Sequence, residues 1–260
     1  MRALALGSDV LVFVSSYWQT TCTAIRAGDE GFLIDSVIYP EELEALPGVL
    51  EQAGFPVSGL LATHGDWDHL LGREAFPTAA LGCGESTAQR LTSEPGAAQR
   101  ELREFDEESY VAGRRPLSLG AYQALPVPGK LALGPEHELE VHPAEGHTVD
   151  GVAYLMPWMG VLVCGDYLSP VEIPWISDGG SVTAYLGTLE RLEPLVTRVD
   201  TVVPGHGGPI ERDQALGILQ EDVEYLQALL SDGENAPLPA GRRTGAQRKI
   251  HAENATRTPS

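Results

Sequence analysis

The spacing of apolar residues changes period several times along the chain, and each change marks an element. The first 36 residues run in short β-like stretches, "DVLVFVSS", "TTCTAIRAG" and "EGFLIDSV", with "AGDEG" as a hairpin turn between the last two. They predict a meander of strands. In "PEELEALPGVLEQAGF" the residues Leu43, Leu46, Val49 and Leu50 fall at helical spacing, with Pro40 near the start and Gly54 near the stop. A buried strand, "VSGLLAT", follows and delivers the chain to His64. Residues 84 to 112 read as helical and acidic, carrying Glu101, Glu104, Asp106, Glu107 and Glu108; residues 113 to 135, rich in Gly and Pro, read as a long loop. Strands return in "HELEVHPA", "VAYLMPW" and "GVLVCGDY". A helix near 182 to 196, a strand "VDTVVP" and a helix from about 211 to 231 complete the series. Strands then helices, twice over, predict an α/β fold of two β-sheets faced by helices on the outside.

The last 28 residues change character, with Arg242, Arg243, Arg248, Lys249 and Arg257 against Glu234 and Glu253. The chain therefore divides into residues 1–232 as one domain and residues 233–260 as a basic tail, hinged at Pro237 and Pro239. That tail reads either as a frayed end or as a docked helix whose His251 could reach a substrate.

Composition narrows the function. With 260 residues and 43% hydrophobic content the chain can bury a substantial core. The formal charge of -20, from 37 acidic and 17 basic residues, argues against nucleic acid and against an anionic membrane face as partners. No apolar run approaches the roughly 18 residues that a membrane span needs, and the N-terminal stretch is too interrupted for a signal sequence. Cys22, Cys83 and Cys164 are odd in number and form no CxxC pair, as expected for a reducing cytoplasm.

The chemistry concentrates where apolar runs end. "ATHGDWDHLLG" packs His64, Asp66, Asp68 and His69 into one tight loop. His147 in "EGHTVDG", Asp166 in "VLVCGDY" and His206 in "VVPGHGG" stand at three further strand ends, flanked by glycines that permit sharp bends. His137 and His142 lie outside these clusters and read as packing or surface residues. Cys164 reads as a buried strand residue, and Trp67 as either pocket lining or aromatic packing.

In this order and these surroundings, His64, Asp68, His69, His147, Asp166 and His206 resemble the metal sites of the metallo-β-lactamase-fold hydrolases, from about residue 10 to residue 210. "THGDWDH" matches the family's T-H-x-H-x-D-H motif except that Asp66 replaces the second histidine. "EGHTVDGVAYLM", "LVCGDYL" and "VVPGHGGPI" resemble the third-histidine, bridging-aspartate and last-histidine motifs. "FLIDS" resembles the strand whose aspartate, here Asp35, braces the metal loop. The resemblance implies a four-layer αββα sandwich and two divalent metal ions. His64, His147 and Asp66 would hold one ion, Asp68, His69 and His206 the other, and Asp166 would bridge them. Zinc is the first expectation, and the hard oxygen of Asp66 brings in iron or manganese.

The implied activity is a hydrolase that uses a metal-bridged hydroxide to cleave a small ester, thioester or lactone, of the glyoxalase II and lactonase kind. Asp68 would orient the nucleophile, and the Tyr167 hydroxyl could meet a developing oxyanion. The alternatives are an iron-dependent oxidoreductase of the persulfide dioxygenase or flavodiiron kind, or a phosphodiesterase. A small-molecule substrate is the expected partner, and the oligomeric state stays open.

Overall fold

The computed structural model describes residues 1–258. Seven strands form one sheet in chain order: β1 (Arg2–Ala5), β2 (Val10–Val14), β3 (Thr21–Ala27), β4 (Glu30–Asp35), β5 (Gly59–Ala62), β6 (Ala80–Gly84) and β7 (Tyr122–Leu125). Six more form a second sheet: β8 (Gly129–Leu133), β9 (His137–Pro143), β10 (Val152–Met156), β11 (Val161–Val163), β12 (Thr201–Val203) and β13 (Ile210–Glu211), ordered β13-β12-β11-β10-β9-β8. The helices are α1 (Pro40–Ala53), α2 (Trp67–Leu70), α3 (Gly72–Ala75), α4 (Glu85–Ser93), α5 (Ala97–Glu108), α6 (Val182–Val196), α7 (Arg212–Asp232) and α8 (Gly245–Arg257).

Three separate hydrophobic clusters show how these elements stack. Val10, Val12, Val14, Ile34 and Leu61 of the first sheet meet Val141, Val152, Tyr154 and Val163 of the second. Their neighbours along the same strands, Phe13, Leu33 and Leu60, turn outward and pack with Leu43, Leu46 and Leu102 of α1 and α5. On the far side Leu155, Leu162 and Val202 pack with Leu189 and Leu192 of α6 and Leu226 of α7. Alternate residues of one strand thus face two different interfaces, which is why the strands read as unbroken apolar runs. Three apolar interfaces separate four layers, the αββα sandwich that the sequence predicted. Each fully buried Leu, Ile or Val contributes roughly 1.5–3 kcal/mol to holding the layers together.

The expected boundaries hold for β2 to β4 of the meander, to which β1 adds an exposed edge strand, for α1, for α6 and, within a residue, for α7. They fail between 80 and 135. The predicted helix over 84–112 is two helices, broken at Gly96 with φ +78°, and strand β6 precedes it. The predicted loop over 113–135 contains β7 and β8, a short edge strand for each sheet. Both are four or five residues long and partly exposed, so neither carries a core-facing apolar run for the sequence to reveal. Beyond α7 a short 3₁₀ turn leads to α8, whose N-cap Thr244 accepts a hydrogen bond from the Gln247 amide. The buried residues of α8 are Gln247 and Asn254, with Ile250 and Ala255 packed at the edge of the core, so it docks chiefly through amide side chains. Among the described residues no helix is long and apolar enough to cross a membrane.

Candidate metal centre

Both sheets end at one edge of the sandwich, and the chemistry gathers there. His64 follows β5, Asp66 precedes α2, and Asp68 and His69 lie within α2. His147 lies between β9 and β10, Asp166 follows β11, and His206 follows β12. Parallel pairing of β4 with β5 and of β11 with β12 points the carboxyl ends of those strands to the same side. The sheets are stitched there by backbone bonds from Val152 N to Thr63 O (2.8 Å) and from Thr21 N to Gly205 O (2.8 Å).

All seven residues named from the motifs converge. Asp66 Oδ2 lies 3.6 Å from His64 Nε2 and 3.4 Å from His147 Nε2. Asp68 Oδ2 lies 3.5 Å from both His69 Nε2 and His206 Nε2. Asp166 stands between the groups. Its Oδ2 is 3.3 Å from His147 Nε2 and 3.3 Å from His206 Nε2, and its Oδ1 is 3.2 Å from His69 Nε2. His64, Asp66 and His147, and likewise Asp68, His69 and His206, each offer ligand atoms within 4.8 Å of one another.

The imidazoles are held from behind. Asp35 Oδ2 lies 3.1 Å from His69 Nδ1, and the same carboxylate accepts from the Thr63 backbone and hydroxyl, so Asp35 braces the loop as its motif implied. The carbonyl of Trp175 lies 2.8 Å from His147 Nδ1, and Thr20 Oγ1 and the Trp18 carbonyl lie 3.3 Å from His206 Nδ1. Each contact leaves Nε2 for the centre. Close packing supports Asp166 as well: a Cβ at Gly205 would collide with Asp166 Oδ1, so only glycine fits.

The fit to metal ions is testable on the side chains themselves. His64 Nε2, His69 Nε2, His147 Nε2 and Asp166 Oδ1 are buried and make no hydrogen bond of acceptable geometry. Four such atoms facing one small region are costly unless a cation meets them. Electrostatics agrees. Burial disfavours protonated His147, yet Asp66 and Asp166 overcome it and lift the imidazole to about 9. His206 is lifted to about 10 against burial by Glu172, Asp166 and Asp68. Despite burial, Asp166 is held well below the usual carboxylate range, chiefly by His206 and His69. The carboxylates attract positive charge, and the donor set of imidazoles and carboxylates suits Zn, Mn or Fe.

Asp66 has a second partner that the sequence did not reveal. Arg90 Nη1 lies 2.8 Å from Asp66 Oδ1 and 2.9 Å from Asp150 Oδ1. The extra carboxylate called for a compensating cation, but the acidic 84–112 stretch offered several arginines and no means of choosing. Asp150 stands inside "EGHTVDG", where nothing in the neighbouring sequence ties it to residue 90. Glu172 was missed too; it lines a small void with His147 and Asp166. Burial raises its carboxyl, with His206 pulling the other way.

The Tyr167 hydroxyl does not face the centre. It accepts the His147 backbone N–H at 3.0 Å and is buried, so it supports the His147 loop and is not placed to meet an oxyanion. His251 is not frayed; it lies within α8 and its two ring nitrogens are committed to the Tyr225 hydroxyl (3.1 Å) and the Glu234 carbonyl (3.0 Å). Trp67 packs with Phe105 at a centroid distance of 4.6 Å. His137 stacks on Trp158, and His142 pairs with Glu140, both outside the centre as expected. All three cysteines are free and buried.

The family model described as the metallo-beta-lactamase superfamily matches residues 16–206. The chain belongs to that superfamily and carries its metal-dependent hydrolase fold. Among solved structures it is similar to a metallo-beta-lactamase family protein, TTHA1429, from Thermus thermophilus, at 20% identity and TM-score 0.69 over 96% of this chain and 92% of that one. It is also similar to the stereoselective inverting sec-alkylsulfatase Pisa1 from Pseudomonas sp., at 14% identity and TM-score 0.71 over 97% of this chain and 49% of the sulfatase. A third likeness is to TTHA1623 in a di-iron-bound form, at 20% identity and TM-score 0.61 over 79% of this chain and 96% of that one.

Proposed function

We propose that this protein is a hydrolase of small esters, thioesters or lactones that works with two divalent ions. His64, Asp66 and His147 would hold one ion, Asp68, His69 and His206 the other, and Asp166 would lie between them. The observation that carries the reading is the set of buried, unpartnered atoms His64 Nε2, His69 Nε2, His147 Nε2 and Asp166 Oδ1 facing one region. Bound ions would supply Lewis acidity and an activated water at neutral pH.

The chain's own residues supply the rest. Asp68 Oδ2 faces two imidazoles, which leaves its other oxygen to orient the nucleophile and take its proton. Trp175, Thr20 and Asp35 fix the imidazoles so that no reorganisation accompanies reaction. The acidic residues Glu101 and Glu172 stand near the centre, and the formal charge is -20, so a neutral acyl group is favoured over a phosphodiester.

A second reading, an iron-dependent oxidoreductase, draws on the Asp66 oxygen donor and on the di-iron-bound form of the similar TTHA1623. Elemental analysis of protein purified without added metal, then an ester, thioester, lactone and phosphodiester panel with oxygen uptake monitored, decides between them. Ester or lactone turnover without oxygen uptake is the expected result; iron with oxygen consumption would replace it with the redox reading.

A further inference from the structure

We propose that Arg90 determines how Asp66 offers its oxygens to a cation and so tunes which divalent metal the centre prefers. The inference rests on reading Asp66 as a ligand and extends it to a residue outside every motif. Arg90 stands on the last turn of α4, with its guanidinium between Asp66 Oδ1 at 2.8 Å and Asp150 Oδ1 at 2.9 Å. The Asp150 side chain is fully buried, and its other oxygen accepts the Gly65 amide at 2.9 Å. The loop that carries His64 and Asp66 is therefore tied to Asp150 twice, once through its backbone and once through Arg90.

Two consequences follow for Asp66. Its Oδ1 is engaged, so Oδ2 alone faces His64 Nε2 and His147 Nε2. The aspartate becomes a one-atom donor, as the imidazole it replaces would be. A carboxylate released from Arg90 could chelate through both oxygens, which suits a larger, oxygen-preferring cation such as Mn²⁺ better than four-coordinate Zn²⁺. The guanidinium also offsets the negative charge that aspartate adds, in a partly buried setting where solvent screens little. Arginine suits the place better than lysine, because its charge is fixed and its planar fork can hold two carboxylates at once.

The test uses the full chain freed of metal by chelation, as wild type, Arg90→Met, Asp66→His and the double variant. Each is dialysed against equal concentrations of Mn²⁺ and Zn²⁺, the bound ratio is measured by elemental analysis, and circular dichroism confirms folding. Arg90→Met should raise the bound Mn:Zn ratio by about threefold or more where Asp66 is present and leave it unchanged in the Asp66→His chain. Asp66→His alone should lower the ratio. Arg90→Lys, which keeps a cation beside Asp150 if the apolar variant does not fold, should shift the ratio in the same direction by less. A ratio unmoved by the foldable Arg90 variants, or moved equally with and without Asp66, overturns the role of Arg90. A ratio unmoved by Asp66→His shows instead that Asp66 is no ligand, which removes the premise.

Discussion

The backbone carbonyl of Trp175 lies 2.8 Å from Nδ1 of His147, and that one contact turns the imidazole's Nε2 toward the centre. Trp175 is itself held by the C-terminal segment. Asn254 donates to the Pro174 carbonyl (2.7 Å) and accepts from the Ile176 amide (2.8 Å), bracketing Trp175. Gln247 accepts from Ile173 N, and Arg242 donates to the carbonyls of Ser169 and Glu172. Five polar backbone groups of this loop are thus answered by buried side chains from beyond α7.

Asn254→Leu should therefore act on the metal as well as on the fold. Two buried backbone groups would lose partners, at about 1–3 kcal/mol each, and the melting temperature should fall. With Trp175 loosened, metal affinity should weaken by roughly tenfold, measured by competition with a chromophoric chelator. Thr256→Ala, whose hydroxyl bonds only within α8, should change neither. Undiminished metal affinity in folded Asn254→Leu protein would confine the tail to a purely structural part.

Replacing His147 or His206 by Ala should strip most of the metal and most of the activity from a chain that still folds, because each stands on a loop after a strand has ended. Full metal content by elemental analysis, together with full turnover, in both variants would refute the assignment of ligands.

Asp68→Asn tests the handling of the nucleophile. A neutral amide can still fill the space beside His69 and His206 but cannot take a proton, so turnover should fall on the order of a hundredfold or more. Wild-type turnover at unchanged metal loading would exclude the role.

Gly205→Ala places a methyl group against Asp166 Oδ1 and within 3.0 Å of His69 Cε1. It should lower metal occupancy sharply while the strands around it stay intact. Gly208→Ala is the control, since its Cβ would meet nothing nearer than Arg2 Nη2 at 3.5 Å. Equal metal content in the two variants would mean that the crowding at Gly205 is relieved elsewhere.

The sequence displayed strands β2 to β5, helices α1, α6 and α7 and all seven converging side chains because each is encoded locally. Runs such as "VLVFV" and "GLLA" are buried on both faces, and the polar residues follow directly where those runs end. Arg90 was invisible because its meaning depends on Asp66 and Asp150, which lie 24 and 60 positions away. Strands β7 and β8 escape the pattern because edge strands bury little, and the tail stays open between a frayed end and a docked helix because α8 docks chiefly by hydrogen bonds. Tyr167 misled for a related reason: its place beside Asp166 in the chain says nothing of where the hydroxyl points, and it points to the His147 amide.

The last expectation concerns protons. In the metal-free chain His147 and His206 are lifted to about 9 and about 10, against roughly 6.5 for a free imidazole. Groups whose folded pKa is raised bind protons on folding, so their contribution to stability is complete below about pH 6.5 and disappears as pH rises through 9 to 10. A divalent ion must displace those same protons. Its apparent affinity should then climb with pH from 7 to about 9 and level off near 10, with proton release on binding at pH 7.5. Calorimetric titration of Zn²⁺ into chelator-treated protein, in buffers of different ionisation enthalpy, measures that release, and melting of the metal-free protein across the same range measures the loss of stability. Binding that releases no protons at pH 7.5, with an affinity flat from pH 7 to 9, would mean that both imidazoles are neutral before the ion arrives and that the surrounding carboxylates are balanced by some other charge.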